Sequence, residues 1–277
     1  MYRIASAIPT LRLIQFESDA LQFYLPVKYY SECCYRAKII AWTDEKYIDN
    51  LKVIGYRFYL DFEEISVLDS TDEKIAGSGL PNLERKAEVY RETSETQISL
   101  KLNIDGSGSS DVQTGVGFLD HMLELFAKHG FFDLELKAVG DLQVDDHHTV
   151  EDVGICLGDA FRQAVSEKSG IRRFGNFEMP MYEALAKITL DFCGRPFLVY
   201  NTPLTNEKIG TFDVELVEEF FHGFVNHSGT TLHINVVHGS NRHHIVEAIF
   251  KGIAKALDTA TSVDERIVGV LSTKGKL

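Results

Sequence analysis

Cysteine is scarce in this chain of 277 residues, and its four cysteines form no framework. Cys33 and Cys34 are neighbours, which rarely pair, and Cys156 and Cys193 stand far along the chain. The thiols therefore read as reduced and the protein as cytoplasmic. Long apolar runs are missing too. No uncharged stretch of about eighteen apolar residues occurs, so no membrane partner is expected. The N-terminus lacks the basic start, apolar run and small-residue cleavage site of a secretory signal, and it is too acidic for a transit peptide. An excess of basic residues is also absent. The formal net charge of −13 argues against nucleic acid, whose phosphates demand a basic surface. One small phosphate ester stays compatible, because a local Arg/Lys cluster can hold it on an acidic protein. Finally, no G-x-x-x-x-G-K-[ST] or G-x-G-x-x-G pattern sits between strand and helix, so a nucleotide is not indicated.

What is present falls into two textures. Residues 1–68 are rich in Tyr, Phe and Ile, with strand-like runs at Tyr56 to Phe62 and Ile65 to Leu68. Asp69 to Asn82 is polar and broken by Gly77, Gly79 and Pro81, which reads as a linker. We expect an N-terminal extension over 1–83, its fold and role open and its linker at 69–83, and a second domain over 84–277.

The second region contains an internal repeat. With Asp120–His129 written above Glu218–His227, Phe126 falls on Phe224 and His129 on His227; further along, Leu134 and Leu136 fall on Leu232 and Ile234. After a two-residue difference in the next loop, His147-His148-x-x-Glu151 falls on His243-His244-x-x-Glu247. Each copy ends in a stretch with apolar residues at helical spacing, Glu151 to Ala164 and Glu247 to Ala260, and each is preceded by strand-like alternation, Ile98 to Ile104 and Ile188 to Phe192. The expected fold is α+β: tandem strand-helix units, about 84–178 and 179–277, with helices on mostly antiparallel four-stranded sheets.

His and Glu at i and i+4 share one helix face, as His147 does with Glu151 and His243 with Glu247. The adjacent His148 and His244 are turned by about one hundred degrees and so address a second metal, or the same one from another element. Imidazole with carboxylate suits Mn, Fe, Co or Zn, and no cysteine adjoins either motif, which argues against a structural zinc site. One copy of the motif is weak, since surface histidines beside a helical Glu are common; two copies at equivalent points of a repeat are not. His121 aligns with Glu219, and both residue types can ligate. Asp145, Asp146 and Asp152 crowd the first motif, either as partners that orient imidazoles or as a solvated helix start. His129 and His227 read as helix-end residues.

Three segments are candidate anion holders: Arg172 and Arg173 between glycines, Arg195 after Gly194, and Ser272-Thr273-Lys274-Gly275. Each alone reads as a turn with a solvated charge.

The ordered motifs RETSET (Arg91 to Thr96), GVGFLDHMLELFAKHG (Gly115 to Gly130), DDHHTVEDVGICLG (Asp145 to Gly158), GIRRFG (Gly170 to Gly175), DFCGRP (Asp191 to Pro196), HHIVEAIFK (His243 to Lys251) and STKG (Ser272 to Gly275) resemble the imidazoleglycerol-phosphate dehydratase family from about residue 84 to 277. The resemblance implies a ribosomal protein S5 domain 2-like fold and a lyase of histidine biosynthesis. That enzyme dehydrates imidazole-glycerol phosphate to imidazole-acetol phosphate through an imidazolate/diazafulvene intermediate stabilised by two manganese ions. It implies metal ligands at His121, His147, His148, Glu151, His243, His244 and Glu247, with a His or Glu at the position of Glu219. It implies substrate contacts at Glu95, His121, His129, His147, Arg173, Arg195, Lys251, Ser272, Thr273 and Lys274, and acid–base roles among Glu95, Glu151 and Glu247. A Glu that ligates metal is a poorer base, which favours Glu95. It also implies a homo-oligomer of 24 subunits with metal sites shared between subunits. Two departures stand out. Tyr182 occupies a position where relatives often carry Asp. The N-terminal extension lacks the Asp-x-Asp-Gly-Thr-like motif of the histidinol-phosphatase domain some relatives carry, so phosphatase activity is not expected. The main competing reading is another dinuclear metalloenzyme acting on a small phosphate ester, which would release inorganic phosphate; a non-catalytic metal-binding protein is the other.

Overall fold

The computed structural model describes residues 85–205 and 207–277, together with the backbone of four earlier strands. The chain divides into two compact units, Met1–Ser78 and Gly79–Leu277. In the first, β1 (Arg12–Glu17), β2 (Ala20–Lys28), β3 (Cys34–Thr43) and β4 (Val53–Asp61) form an antiparallel meander in chain order. The strand-like run from Tyr56 falls on β4; the run at Ile65 to Leu68 and the linker lie outside the described residues.

The second unit is built twice over. Its first half runs β5 (Lys86–Glu92), β6 (Thr96–Asn103), β7 (Ser110–Gln113), α1 (Gly117–Gly130), β8 (Asp133–Gly140) and α2 (His147–Val165). The second runs β9 (Phe174–Met181), β10 (Ala184–Asp191), β11 (Phe197–Asn201), a hairpin of β12 (Lys208–Ile209) and β13 (Phe212–Asp213), α3 (Leu216–Ser228), β14 (Thr231–His238) and α4 (Arg242–Thr261). The four-stranded sheets have the same order, β5-β6-β8-β7 and β9-β10-β14-β11, and in each only the last pair is parallel. The registers coincide as well: Glu92 faces Gln97 in one hairpin and Pro180 faces Leu185 in the other. β9 opens at Phe174, ahead of the division expected near 179, because only Gly175 of that strand is buried and no alternation advertises it.

Alternation fixes which face of each sheet is covered. Ile98, Leu100 and Leu102 of β6 are buried while Gln97, Ser99 and Lys101 are exposed; Ala186, Ile188 and Leu190 repeat this on β10. The helices then pair reciprocally, α2 of the first repeat on α3 of the second and α1 on α4, so the two halves share one core. Phe161 of α2 meets Phe224 of α3 edge-on at 5.7 Å between ring centroids. Along the α2–α3 contact the backbones nearly touch. A Cβ on Gly154 would lie 2.3 Å from the Phe220 carbonyl oxygen, and one on Gly158 would lie 2.5 Å from that of Phe224. Only glycine allows that approach, and it sets α2, with its N-terminal His147-His148, against α3. These helix starts and the hairpin turns beside them hold the candidate site residues.

Candidate metal centre

α4 begins at Asn241, whose side chain accepts the His244 N–H, and its first turns present His243 and Glu247 on one face. α1, packed against α4, brings His121 to the same place. Ligand atoms of His121, His243 and Glu247 lie within 4.8 Å of one another, the one such His/Cys/Asp/Glu group of three or more among the described residues. Packing sets the rings: the His243 and His121 centroids are 5.7 Å apart, and Phe118 meets His243 edge-on at 5.3 Å, backed by Phe212 of the small hairpin at 5.0 Å. Glu247 is buried, which raises its pKa, but the hydrogen bond and charge of Lys251 outweigh burial and hold it below its usual range. Lys251 bonds Oε1 of that carboxylate and His243 Nε2 lies 3.2 Å from Oε2, so a cation already pairs with it. Two imidazoles and an ionised carboxylate at this spacing are a donor set suited to Mn, Fe, Co or Zn.

The first repeat offers the equivalent donors more openly. His147 Nε2 lies 3.8 Å from Glu151, and both side chains are more than two-fifths exposed. Glu219 stands one helical turn before Gly223, whose Cβ position is 2.9 Å from the Glu151 carbonyl oxygen. α3 thereby carries Glu219 along the side of α2 that holds His147, although the three do not draw together into a group as tight as the first. His148 and His244 each have a carboxylate on Nδ1, Asp141 at 3.0 Å and Glu183 at 2.7 Å. Such partners fix the tautomer and aim Nε2 outward as a ligand atom. Asp141, through its hydrogen bond, raises the His148 pKa. Glu183 is held down to about 2, chiefly by His244 and by the Asn241 N–H.

Neither Asp141 nor Glu183 was singled out from the sequence. The aspartates that were singled out do other work. Asp145 accepts the His147 backbone N–H at 2.9 Å, Asp146 makes no side-chain cap bond, and Asp152 is buried against Arg91 and Thr96. Extending the repeat alignment upstream was the available signal, since it sets Glu183 against Glu95 at the turns before β10 and β6. Glu95 itself is half exposed, 3.8 Å from His148 Nε2.

Most of the candidate anion holders converge elsewhere, on a cavity of about 1140 Å³, while Arg172 lies 3.7 Å from Asp264. Arg173, Arg195, Ser272, Thr273 and Lys274 line it, with Arg266 and Lys276 adding positive charge and no acidic residue among the lining. Arg173 is braced by a fork to Asp191 at 2.6 and 2.9 Å and donates to the Leu271 carbonyl at 2.7 Å. The C-terminal turn closes through Gly275 at φ 70°, a conformation side chains resist. Lys251 is not in this cavity lining. His129, at the end of α1, has its pKa lowered by burial and by the charges of Lys251 and Lys255, while His227 pairs with Asp159 of α2 at 3.2 Å rather than capping its own helix. Cys156 and Cys193 are buried free thiols, and burial pushes Cys156 up to about 12. No helix among the described residues is long and apolar enough to cross a membrane.

A family model for imidazoleglycerol-phosphate dehydratase matches residues 114–257. The enzyme of that name from Citrifermentans bemidjiense is 60% identical over 193 residues, 70% of this chain and 99% of the relative. The one from Acetivibrio thermocellus is 58% identical over 195 residues, 70% of this chain and 100% of the relative. Among solved structures, imidazoleglycerol-phosphate dehydratase from Staphylococcus aureus aligns with a TM-score of 0.59 at 40% identity, over 65% of this chain and 99% of that one. The Pyrococcus furiosus structure aligns with a TM-score of 0.60 at 38% identity, over 68% of this chain and 100% of that one.

Proposed function

The chain belongs to the imidazoleglycerol-phosphate dehydratase family, and from that premise we propose how its residues carry the reaction: loss of water from imidazole-glycerol phosphate, giving imidazole-acetol phosphate. It is a metal-dependent hydro-lyase of histidine biosynthesis. The observation that supports a metal-based reading most directly is the convergence of His121, His243 and Glu247 from two repeats onto one point. These three, with His147, His148, Glu151, Glu219 and His244, would hold two divalent ions, manganese among those the donor set suits. Bound there, such ions supply Lewis-acid polarisation of the imidazole ring.

The remaining work falls to the chain. Dehydration removes a proton from the carbon beside the departing hydroxyl, and the resulting enol becomes the ketone. The Glu95 side chain is half exposed and, among the described residues, approached by His148 at 3.8 Å, which leaves it open to take that proton. Glu151 and Glu247 are occupied as donors, and Glu247 is also neutralised by Lys251. Arg173, Arg195, Ser272, Thr273 and Lys274 hold the phosphate in the basic cavity, with Arg173 oriented by Asp191 so that no rotamer search is needed on binding. His129 and Lys251 stand together near the end of α1 and are assigned to substrate contact beside His121 and His147. The assembly is a cytoplasmic homo-oligomer, 24 subunits by family likeness. Within one chain the donors of the first repeat remain exposed, and Tyr182 beside His244 is 93% exposed, which fits completion of each site by another copy.

The test is direct. Protein stripped of metal and reloaded with Mn is given imidazole-glycerol phosphate, and the enolised product is followed. Manganese-dependent turnover with no inorganic phosphate released is expected. Phosphate release would mark a hydrolase, and turnover indifferent to metal would overturn the metal-based mechanism.

A further inference from the structure

The two repeats solve one problem with different residues. Each must hold the Nδ1 side of its outward-turned histidine. In the first, Asp141, just after β8, accepts from His148 Nδ1. Its counterpart after β14 is Gly239, where a Cβ would lie 2.7 Å from Ile245 Cγ1, so no side chain fits there. In the second repeat the carboxylate comes instead from the β9–β10 turn. Glu183 Oε2 takes His244 Nδ1 at 2.7 Å, and Oε1 accepts the backbone N–H groups of Ser240 and Asn241 at 3.3 and 2.8 Å. The turn before β6 places Glu95 at the corresponding point. There Asp141 already holds the imidazole, its own N–H bonded to the Glu95 carbonyl at 3.1 Å, and the Glu95 carboxylate is left 3.8 Å from His148 Nε2.

We propose that Glu183 is the positioning residue of the second half-site: it fixes the His244 imidazole against the start of α4, the place that Glu95 vacates in the first half-site because Asp141 fills it. The two glutamates occupy one structural position in duplicate, one turned to ligand orientation and the other freed for substrate. This rests on the metal-based reading above.

The test is manganese affinity of the full-length protein, read by equilibrium titration and by the electron paramagnetic resonance of bound Mn. Glu183→Ala should weaken binding by about 10- to 100-fold, the usual effect of removing an imidazole's carboxylate partner, and alter the spectrum. Glu183→Gln, which keeps an acceptor of the same shape, should bind more tightly than Glu183→Ala yet more weakly than the parent. Glu95→Gln should keep affinity within about twofold. If Glu183→Ala fails to fold, Glu183→Gln decides alone: a threefold or greater loss supports the assignment, and unchanged affinity overturns it. Parent-like affinity and spectrum in both Glu183 variants overturn this inference and leave the proposed function standing, whereas a parent protein that binds no manganese overturns both.

Discussion

In the first repeat the glutamates around the histidine pair face outward; in the second they are already bound to neighbours. The Glu95 and Glu151 side chains are 50% and 44% exposed, whereas those of Glu183 and Glu247 are 30% and 9% exposed and are held by His244 and Lys251. The scaffolds share sheet order and hairpin register, with one shift of β10 on β14 between Leu185 and Ala186 that β6 and β8 lack, and the side chains differ at a few points: Asp141 against Gly239, and Ile155 against Lys251. A duplicated fold keeps its backbone under strong packing constraint, while residues at helix starts and turns are free to divide labour. One half of this unit engages its glutamates in contacts of its own, and the other leaves them exposed.

The sharpest way to break that comparison is at the paired glutamates. Glu95→Gln should lower kcat by about 10² to 10⁴ while metal stays bound, the range for loss of a positioned acid or base. Near-parent kcat in steady-state assays with full metal content would remove the distinction between a freed and an engaged carboxylate. A smaller effect is expected where the helices cross. Helix propensity says Gly158→Ala should stabilise α2 by about 1 kcal/mol. The added Cβ would sit 2.5 Å from a carbonyl oxygen of α3, so overpacking wins, and a net loss of about 1–3 kcal/mol is expected in denaturant unfolding. The counterpart in α4 is Ala254, where the second repeat tolerates the methyl group, and Ala254→Gly should also destabilise. A stabilising Gly158→Ala would show the two crossings to be alike.

The smallest effect is on pH, and its sign differs between repeats in metal-stripped protein. The His148 pKa is raised by Asp141, so its contribution is full below about 6.5 and lost as pH rises through the folded value. Glu183 is depressed to about 2, so its contribution is present above the unfolded value of 4.5 and lost as pH falls toward about 2. Thermal melts across pH should therefore flatten on the alkaline side for Asp141→Asn and on the acid side for Glu183→Gln. Flattening on the same side in both would erase the contrast.

Much of this was legible in the sequence. The repeat was visible because buried Leu134 and Leu136 recur as Leu232 and Ile234, and because the His-His-x-x-Glu spacing is local to one helix. The α+β architecture followed from alternation in β6 and β10. The meeting of His121 with His243 and Glu247 could be suspected from the alignment of His121 with Glu219, and the fold then brings them together across repeats. The orienting carboxylates were not legible. Glu183 and His244 are 61 positions apart in the chain, and Asp145 and Asp152, adjacent to the first motif, looked like better candidates. Their side chains are spent on a backbone N–H and on Arg91. Nor does composition reveal that Gly154, Gly158 and Gly223 mark a backbone contact, because a helical glycine announces only weak propensity.

The carboxylate of Glu183 joins an imidazole to the two amides just ahead of a helix. Ring and helix start therefore cannot move independently. For the His244 ring to swing aside it must leave Oε2, while Oε1 stays anchored on Ser240 and Asn241 and keeps the carboxylate from turning with the ring. Asp141 makes no such tie to a helix, and the two half-sites should differ in residence time even where they match in equilibrium affinity.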